Sequence, residues 1–228
     1  MLLEQSFVGV TMFTVKAAIE QAGKVSVGNG KMPGSTFALS ATTCKTGGKL
    51  INLKGSTCSR CYAMKLEKMR PSVHQGWLAN YTKATKLIAT NPEQWAQACA
   101  FQINRHAVKG EPYHRWFDSG DLQSVEMLDA IARTARLTPH IKHWLPTREA
   151  KIVKDWMASN VCPDNLIIRI SATMIGDKPR NAIWTSTVHR KGETPEGHAC
   201  PASKQGNQCG ECRACWSDAV KNVSYPLH

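Results

Sequence analysis

The chain has 228 residues, of which 42% are hydrophobic and 20% charged, a composition typical of a globular protein with one large core or two smaller ones. It contains no apolar run long enough to span a membrane, and MLLEQSFVGV at its N-terminus lacks the basic and apolar regions of a signal peptide. The net charge of +12 admits nucleic acid or another polyanion as a partner, although solubility alone explains the same charge.

The first sixty residues predict little regular structure. Residues 1–35 contain five glycines and one proline, which predicts extended or turning backbone in an N-terminal extension that packs on the core. The sequence TFALSA at 36–41 predicts the first strand. A loop is expected at 42–59, because three glycines loosen it and no apolar periodicity runs through it.

A helical region follows this loop. Apolar residues recur at steps of three and four between Tyr62 and Thr90, and Pro71 is expected to break this region into two helices. Asn91 and Pro92 predict the start of another helix, with Asn91 as N-cap and Pro92 in the first turn. Cys99 falls on the apolar side of this helix and is interpreted as a small core residue.

Strands then alternate with helices, which favours an α/β fold with mostly parallel strands. The predicted strands are 113–121, 140–147, 165–173 and 182–188. Ser124 is expected to cap the first intervening helix, and the second is expected at 148–158. The apolar sequence of 165–173 predicts a strand that is buried on both faces.

Polar residues follow each predicted strand. Because chemistry in parallel sheets gathers at the carboxyl ends of the strands, these residues are expected to share one rim with the first cysteine loop. They are Ser119, Gly120, Asp121, Thr147, Arg148, Glu149, Ser171, Thr173, Ser186 and Thr187.

Seven of the nine cysteines fall into two groups. One consists of Cys44, Cys58 and Cys61, and the other of Cys200, Cys209, Cys212 and Cys215. We expect a cytoplasmic protein in which thiols stay reduced, so clustered cysteines favour metal over disulfides. Cys162 lies before Pro163 and, like Cys99, is assigned to no metal.

The spacing of the second group favours iron over zinc. Three cysteines at three-residue spacing with a remote Cys-Pro resemble a ferredoxin run, whereas zinc ribbons use two separate C-x-x-C pairs. The first group supplies three ligands, which would leave one iron of a [4Fe–4S] cluster open. One alternative is a closed structural site whose fourth ligand comes from a histidine, with His198 as the best local candidate, or from the other cysteine group. Another alternative is one cluster shared by both groups.

The pentapeptide CSRCY at 58–62 resembles the second half of the radical S-adenosylmethionine motif. In that family three cysteines bind a [4Fe–4S] cluster in the loop after the first strand of a partial (βα) barrel, and the open iron binds S-adenosylmethionine. Thirteen residues separate Cys44 from Cys58, where the family usually has three, and Tyr62 follows the third cysteine, where the family's aromatic residue precedes it.

This resemblance implies a cofactor site on the rim. Ser119, Gly120 and Asp121 are similar in placement to the family's Gly-Gly-Glu element, so Asp121 would bind the amino group of S-adenosylmethionine. Thr147, Arg148 and Ser171 would help to hold its carboxylate and ribose. Tyr62 is included in the candidate site because of its position beside Cys61.

A closer resemblance is to the phage gene-product-88-like proteins. The stretches that carry it are CSRCYA (58–63), RWFDSGDLQS (115–124), PTRE (146–149) and CPASKQGNQCGECRACW (200–216). It implies a phage-encoded iron–sulfur protein of the host cytoplasm with a radical-enzyme-like core. The expected organisation is an extension at 1–35, a partial (βα) barrel at 36–190 and a C-terminal iron–sulfur segment at 191–228.

Three functions follow as hypotheses. The first is radical chemistry with S-adenosylmethionine on an unknown substrate, supplied with electrons by a reductant protein. The second is electron transfer or redox sensing by the same clusters without that cofactor. The third is a nucleic-acid-binding module in which metals hold a basic surface together.

Overall fold

A parallel sheet of seven strands organises the protein, whose computed structural model describes residues 13–28, 30–108 and 110–227. The strands are β1 (Ser35–Phe37), β2 (Tyr113–Trp116), β3 (Lys142–Thr147), β4 (Leu166–Ser171), β5 (Thr185–His189), β6 (His198–Ala199) and β7 (Asn222–Pro226). Their order across the sheet is β1-β2-β3-β4-β5-β7-β6. The α/β fold with parallel strands is therefore confirmed. Because the first five strands are parallel and in chain order, right-handed crossovers place the connecting helices on one face.

Seven helices accompany the sheet in the part of the chain that the structure describes. They are α1 (Val15–Ala22), α2 (Lys45–Leu50), α3 (Tyr62–Met69), α4 (Pro71–Thr90), α5 (Pro92–Ala107), α6 (Val125–Leu137) and α7 (Ala150–Met157). The break before Pro71 is confirmed, and so are the two predicted caps. Asn91 Oδ1 accepts a hydrogen bond from Gln94 N at 3.0 Å, and Ser124 Oγ accepts one from Met127 N at 3.2 Å.

Different elements pack on the two faces of the sheet. On β4, Leu166, Ile168 and Ile170 join the core beneath the helices, where Trp95, Trp116 and Trp156 are also buried. Arg169 points to the opposite face, where the 3₁₀ turn at Ala214–Trp216 packs against β3 and β4. The predicted burial of this strand on both faces is confirmed.

Several elements differ from the sequence-based expectations. Residues 15–22, predicted as extended or turning, form α1, because Trp95 Nε1 donates to Ala22 O at 3.1 Å and helices α4 and α5 cover it. Residues 45–50, predicted as loop, form α2 despite two glycines. The predicted first strand is shorter, and β6 and β7 were not predicted. The apolar pattern of the helix that begins at Pro92 also predicts burial of Val108, but Val108 is 87% exposed just after α5 ends.

Two buried histidines make stability dependent on pH. His114 and His143 are fully buried, and burial lowers the pKa of His143 from 6.5 to about 3 and that of His114 well below 6.5. Trp116 Nε1 donates to His143 Nδ1 at 3.2 Å, so that nitrogen carries no proton and Nε2–H faces Thr138 Oγ1 at 2.8 Å. Both histidines are therefore neutral in the folded protein.

We expect acid to destabilise the protein through this pair. Because the folded pKa values are depressed, their contribution is present above about pH 6.5 and is lost as pH falls towards the folded values. Between about pH 7.5 and pH 5.5 the free energy of unfolding should fall by about 1.4 kcal/mol for each histidine. Urea unfolding at both pH values measures it. His143→Gln should halve the pH effect, and an unchanged pH effect in that variant would contradict the assignment.

Candidate metal centres

Cys44, Cys58 and Cys61, which we call the rim group, follow the carboxyl end of β1. Cys44 comes after a 3₁₀ turn at Ala41–Thr43, and it precedes α2. Buried Glu67 on α3 fixes this turn, since its carboxylate accepts from Ser40 Oγ at 2.5 Å and from Ala41 N at 2.6 Å. Cys61 is the N-cap of α3, and its backbone N–H donates to Cys58 O at 3.1 Å.

The structure brings the three thiols together. Burial is the main cause that raises the pKa of Cys44, and the charges of Asp121, Cys61 and Cys58 raise it further. Burial also raises the pKa of Cys58, while Arg148 and a hydrogen bond from Thr57 lower it. All nine cysteines of the chain are free thiols, so no disulfide competes for them.

Gly47 in α2 provides the space for this convergence. A Cβ atom at Gly47 would lie 3.1 Å from Cys44 Cβ and 3.5 Å from Cys58 Sγ, whereas one at Gly48 would meet nothing within 4 Å. The donor set is three soft thiolates around this cradle, with a cation nearby, which suits an iron–sulfur cluster.

We expect Gly47→Ala to lower the iron content of the rim group, because a methyl group 3.1 Å from Cys44 Cβ must shift that cysteine by a few tenths of an ångström and takes up the space beside Cys58 Sγ. Up to about four irons per chain should be lost. Gly48→Ala is the matched control, since it brings the same gain in helix propensity of about 0.5–1 kcal/mol without touching a cysteine. Iron and sulfide analysis of both variants measures this loss. Equal iron contents in the two variants would contradict the proposed role of Gly47.

The polar residues predicted at the strand ends do meet at the rim. Asp121 Oδ1 accepts from Thr147 Oγ1 at 2.6 Å and from Leu122 N at 2.7 Å, while Oδ2 accepts from Arg148 N at 3.0 Å. Its side chain is buried at 4% exposure, and burial is the main cause that raises the pKa of its carboxyl group. Asp121 thus joins the ends of β2 and β3 beside Cys44.

Arg148 connects the rim residues to the cysteine loop. Its Nε and Nη2 donate to Thr57 Oγ1 at 3.1 and 3.0 Å, and Thr57 Oγ1 in turn donates to Ala172 O at 2.8 Å. Glu149 accepts from Thr46 N and Thr46 Oγ1 at 2.8 and 3.0 Å. Thr46 and Thr57 were not predicted as site residues, although each neighbours the cysteine group in sequence.

The remaining candidate rim residues have varied partners. Tyr62 Oη donates to the backbone carbonyl of Asp118, and Ser186 Oγ donates to Ser171 Oγ at 3.0 Å. Gly120 has a positive φ of 81°, and a Cβ there would lie 2.6 Å from Leu39 Cβ, so the turn needs glycine. The Ser119 hydroxyl is buried and has no hydrogen-bond partner among the residues described.

Cys200, Cys209, Cys212 and Cys215, which we call the tail group, also converge. Burial raises the pKa of Cys200, Cys209 and Cys215, the last to about 12, and nearby tail cysteines raise each of them further. Cys200 follows β6 at one edge of the sheet, and its N–H donates to Ser224 O at 2.9 Å. Cys209 N donates to Lys31 O at 2.7 Å, in the segment before β1 at the other edge.

The tail group has its own polar surroundings. Tyr225 Oη lies 3.1 Å from Cys215 Sγ, and His198 Nε2 lies 3.4 Å from Cys212 Sγ. His198, proposed from sequence as a fourth ligand for the rim group, therefore lies at the tail group. A pocket of about 470 Å³ opens beside it, bounded by Cys212, Trp216 and Lys142 among others.

Arg115 on β2 lies between the two groups. Its positive charge lowers the pKa values of Tyr62 and Asp118 on the rim side, and those of Cys209 and Cys215 on the tail side, although burial raises all four. Its guanidinium carbon is 4.6 Å from the Trp144 ring centroid.

Neither group is arranged for a single metal ion. Within residues 13–28, 30–108 and 110–227, no three histidine, cysteine or acidic side chains converge closely enough to hold one ion. A mononuclear zinc site would require such convergence, with four ligands at about 2.0–2.3 Å from one centre.

Comparison with known families gives one match. A family model described as Gene product 88 fits residues 12–218, nearly the whole chain. The chain belongs to the Gene product 88 family. This confirms the phage gene-product family that the sequence resembles. No curated protein and no solved structure matches the chain significantly.

The Gene product 88 match spans both cysteine groups. It includes all seven clustered cysteines together with Arg115, Arg148 and Arg169, whereas Tyr225 lies beyond it. Among the described residues, no helix has the length and apolar character that crossing a membrane requires.

Proposed function

We propose that this member of the Gene product 88 family is an iron–sulfur protein with a [4Fe–4S] cluster at each cysteine group. The observation that carries the proposal is the grouping of free thiols at two places in the fold, each group beside a buried or half-buried arginine. Arg148 serves the rim group and Arg169 the tail group. Arginine stabilises the negative charge that thiolate ligation brings.

The rim group supports a more specific proposal. Its three cysteines leave one iron for an external ligand, and they lie at the carboxyl ends of parallel strands wound in one direction. We propose S-adenosylmethionine as that ligand, which when bound supplies a sulfur–carbon bond that one electron can cleave. Cys44, Cys58 and Cys61 would hold the cluster, Arg148 would balance its charge, and the unpartnered Ser119 hydroxyl offers a further polar contact.

One observation favours electron transfer without this cofactor. Asp121, to which the resemblance assigns the cofactor's amino group, is buried and already accepts three hydrogen bonds from the protein. A carboxylate offers about four acceptor positions, so one remains at most. In this second function both clusters carry electrons, and a reductant protein is the proposed partner. Nucleic acid remains a proposed partner on charge alone, and steep salt dependence of binding would test it.

The test is iron and sulfide analysis of anaerobically purified protein, with electron paramagnetic resonance after dithionite reduction. About eight irons per chain are expected from two cubes. A spectrum that changes on addition of S-adenosylmethionine supports the specific proposal, whereas an unchanged spectrum favours electron transfer. Zinc in place of iron would overturn both.

A further inference from the structure

The surroundings of the rim group are electrically mixed. One cation, Arg148, lies near Cys44 and Cys58, but the carboxyl group of Asp121 acts in the opposite direction on both cysteines. Arg148 Nε and Nη2 both donate to Thr57 Oγ1, so these two donors cannot also bind sulfur. The hydroxyl of Thr57 adjoins Cys58, but it donates to Ala172 O at 2.8 Å.

The described surroundings of the tail group include two hydrogen-bond partners for sulfur and two arginines, while Glu211 stands between Cys209 and Cys212 in the sequence. Tyr225 Oη and His198 Nε2 are within hydrogen-bond distance of Cys215 and Cys212 sulfur. Arg115 and Arg169 supply two positive charges, and both act on Cys215. Arg169 is fully buried, and its Nε donates to the backbone carbonyl of Cys215 at 3.0 Å.

Two further donors lie unused on the same face of the sheet. Arg115 Nε and Trp144 Nε1 are buried and have no hydrogen-bond partner among the residues described. Arg115 and Trp144 are paired positions of β2 and β3, and the Trp144 ring is 5.2 Å from that of Trp216, next to Cys215. Buried donors without partners are costly, so a negatively charged group beside them would relieve a real penalty.

We propose that the tail group is the electron acceptor of the pair, so that electrons pass from the rim cluster to the tail cluster. Reduction adds negative charge to a cluster, and hydrogen bonds and cations near its sulfur atoms stabilise that charge. The tail group has more hydrogen-bond donors and more cations near its sulfur atoms than the rim group. This inference rests on the proposed iron–sulfur function.

Only one electron moves in this transfer between the two clusters. An external low-potential one-electron donor, dithionite in the experiment, reduces the rim cluster from its 2+ to its 1+ state. One electron then leaves the rim cluster, which returns to 2+, and the tail cluster takes it and becomes 1+. No bond forms or breaks and no proton moves, so the direction depends only on the two reduction potentials. Arg115 lies between the groups, where its charge favours an electron that has reached the tail side.

The experiment is an anaerobic redox titration of the full chain, followed by electron paramagnetic resonance. Two midpoint potentials are expected, with the more positive one belonging to the tail signal. Tyr225→Phe removes only the hydroxyl beside Cys215 and should weaken the tail's electron affinity up to tenfold, a downward shift of up to about 59 mV for one electron. Tyr81→Phe, on helix α4 in the layer that packs on the core, is the matched control and should change neither potential.

Three outcomes separate the inference from the function on which it rests. A tail potential equal to or below the rim potential would overturn the inference while leaving two clusters in place. An unchanged tail potential in both Tyr225→Phe and Arg115→Gln would overturn it as well, because neither donor would then affect the cluster. Protein without two iron–sulfur signals would instead contradict the proposed function.

Discussion

Cys58→Ala should remove the rim cluster and leave the tail cluster intact. Cys58 is buried at 9% exposure, at the point where α2, the cysteine loop and Arg148 meet. Loss of one of three thiolates leaves too few ligands for a cube, so about four of about eight irons should disappear. Iron and sulfide analysis measures the loss, and electron paramagnetic resonance shows which signal remains.

Cys162→Ala is the control for this experiment. Cys162 is half-buried in the loop before β4, and its thiol donates to Leu166 O at 3.3 Å rather than facing other cysteines. The iron content of the Cys162→Ala variant should equal that of the unchanged protein. If Cys58→Ala instead abolishes both signals, the two groups form one shared centre or assemble as a unit, and the two-cluster proposal fails.

Arg169→Met should destabilise the protein strongly and disorder the tail group. The guanidinium is fully buried, and within the described part of the chain no carboxylate lies at ion-pair distance. Five backbone carbonyls accept its hydrogen bonds, those of Ala214, Cys215, Ser217, Thr185 and Lys221, at 2.8 to 3.5 Å. Methionine fills similar volume but leaves these carbonyls unpaired, so the free energy of unfolding should fall by about 3–5 kcal/mol.

Urea unfolding measures this loss, and iron analysis shows whether the tail site survives. Arg133→Met is the matched control, because Arg133 is an exposed arginine on α6 whose ion pairs with Asp129 and Glu93 lie at the surface. That change should cost less than about 1 kcal/mol. Equal losses in the two variants would show that the carbonyl contacts of Arg169 contribute nothing.

Much of the helical layer and central sheet could be predicted from the sequence because local patterns there agree with the tertiary fold. Pro71, Asn91 and Ser124 act where local rules place them, at helix boundaries. The apolar sequence of β4 is explained by the burial of this strand on both faces of the sheet. In these segments no distant contact overrides local propensity.

The missed elements depend on distant contacts. Helix α2 contains Gly47 and Gly48, yet it forms because Glu149 holds Thr46, about a hundred residues away, and Gly48 N donates to Cys44 O. Strand β6 has only two residues, and its only neighbour in the sheet, β7, follows it in the sequence by more than twenty positions. Propensity is a weak guide to segments that such pairings create.

Some residues of the candidate site could be predicted from the sequence, and others depend on distant contacts. Spacing alone identified both cysteine groups, and strand ends located Asp121, Thr147 and Arg148. The residues that surround the tail group were not found, since Tyr225 and Arg115 are distant from its cysteines in the chain. Arg169 did leave a signal, because a charged residue inside the apolar run LIIRIS must find buried partners.

The position of β7 between β5 and β6 has a consequence for synthesis on the ribosome. Residues 198–200 leave the ribosome before Asn222–Pro226, the strand with which β6 pairs, so Cys200 cannot be placed while the chain is still emerging. Cys209 likewise reaches back to Lys31, made early in translation. The tail group therefore takes shape only after β7 has been made, and any metal delivered there must arrive at a chain that is already fully translated through Pro226.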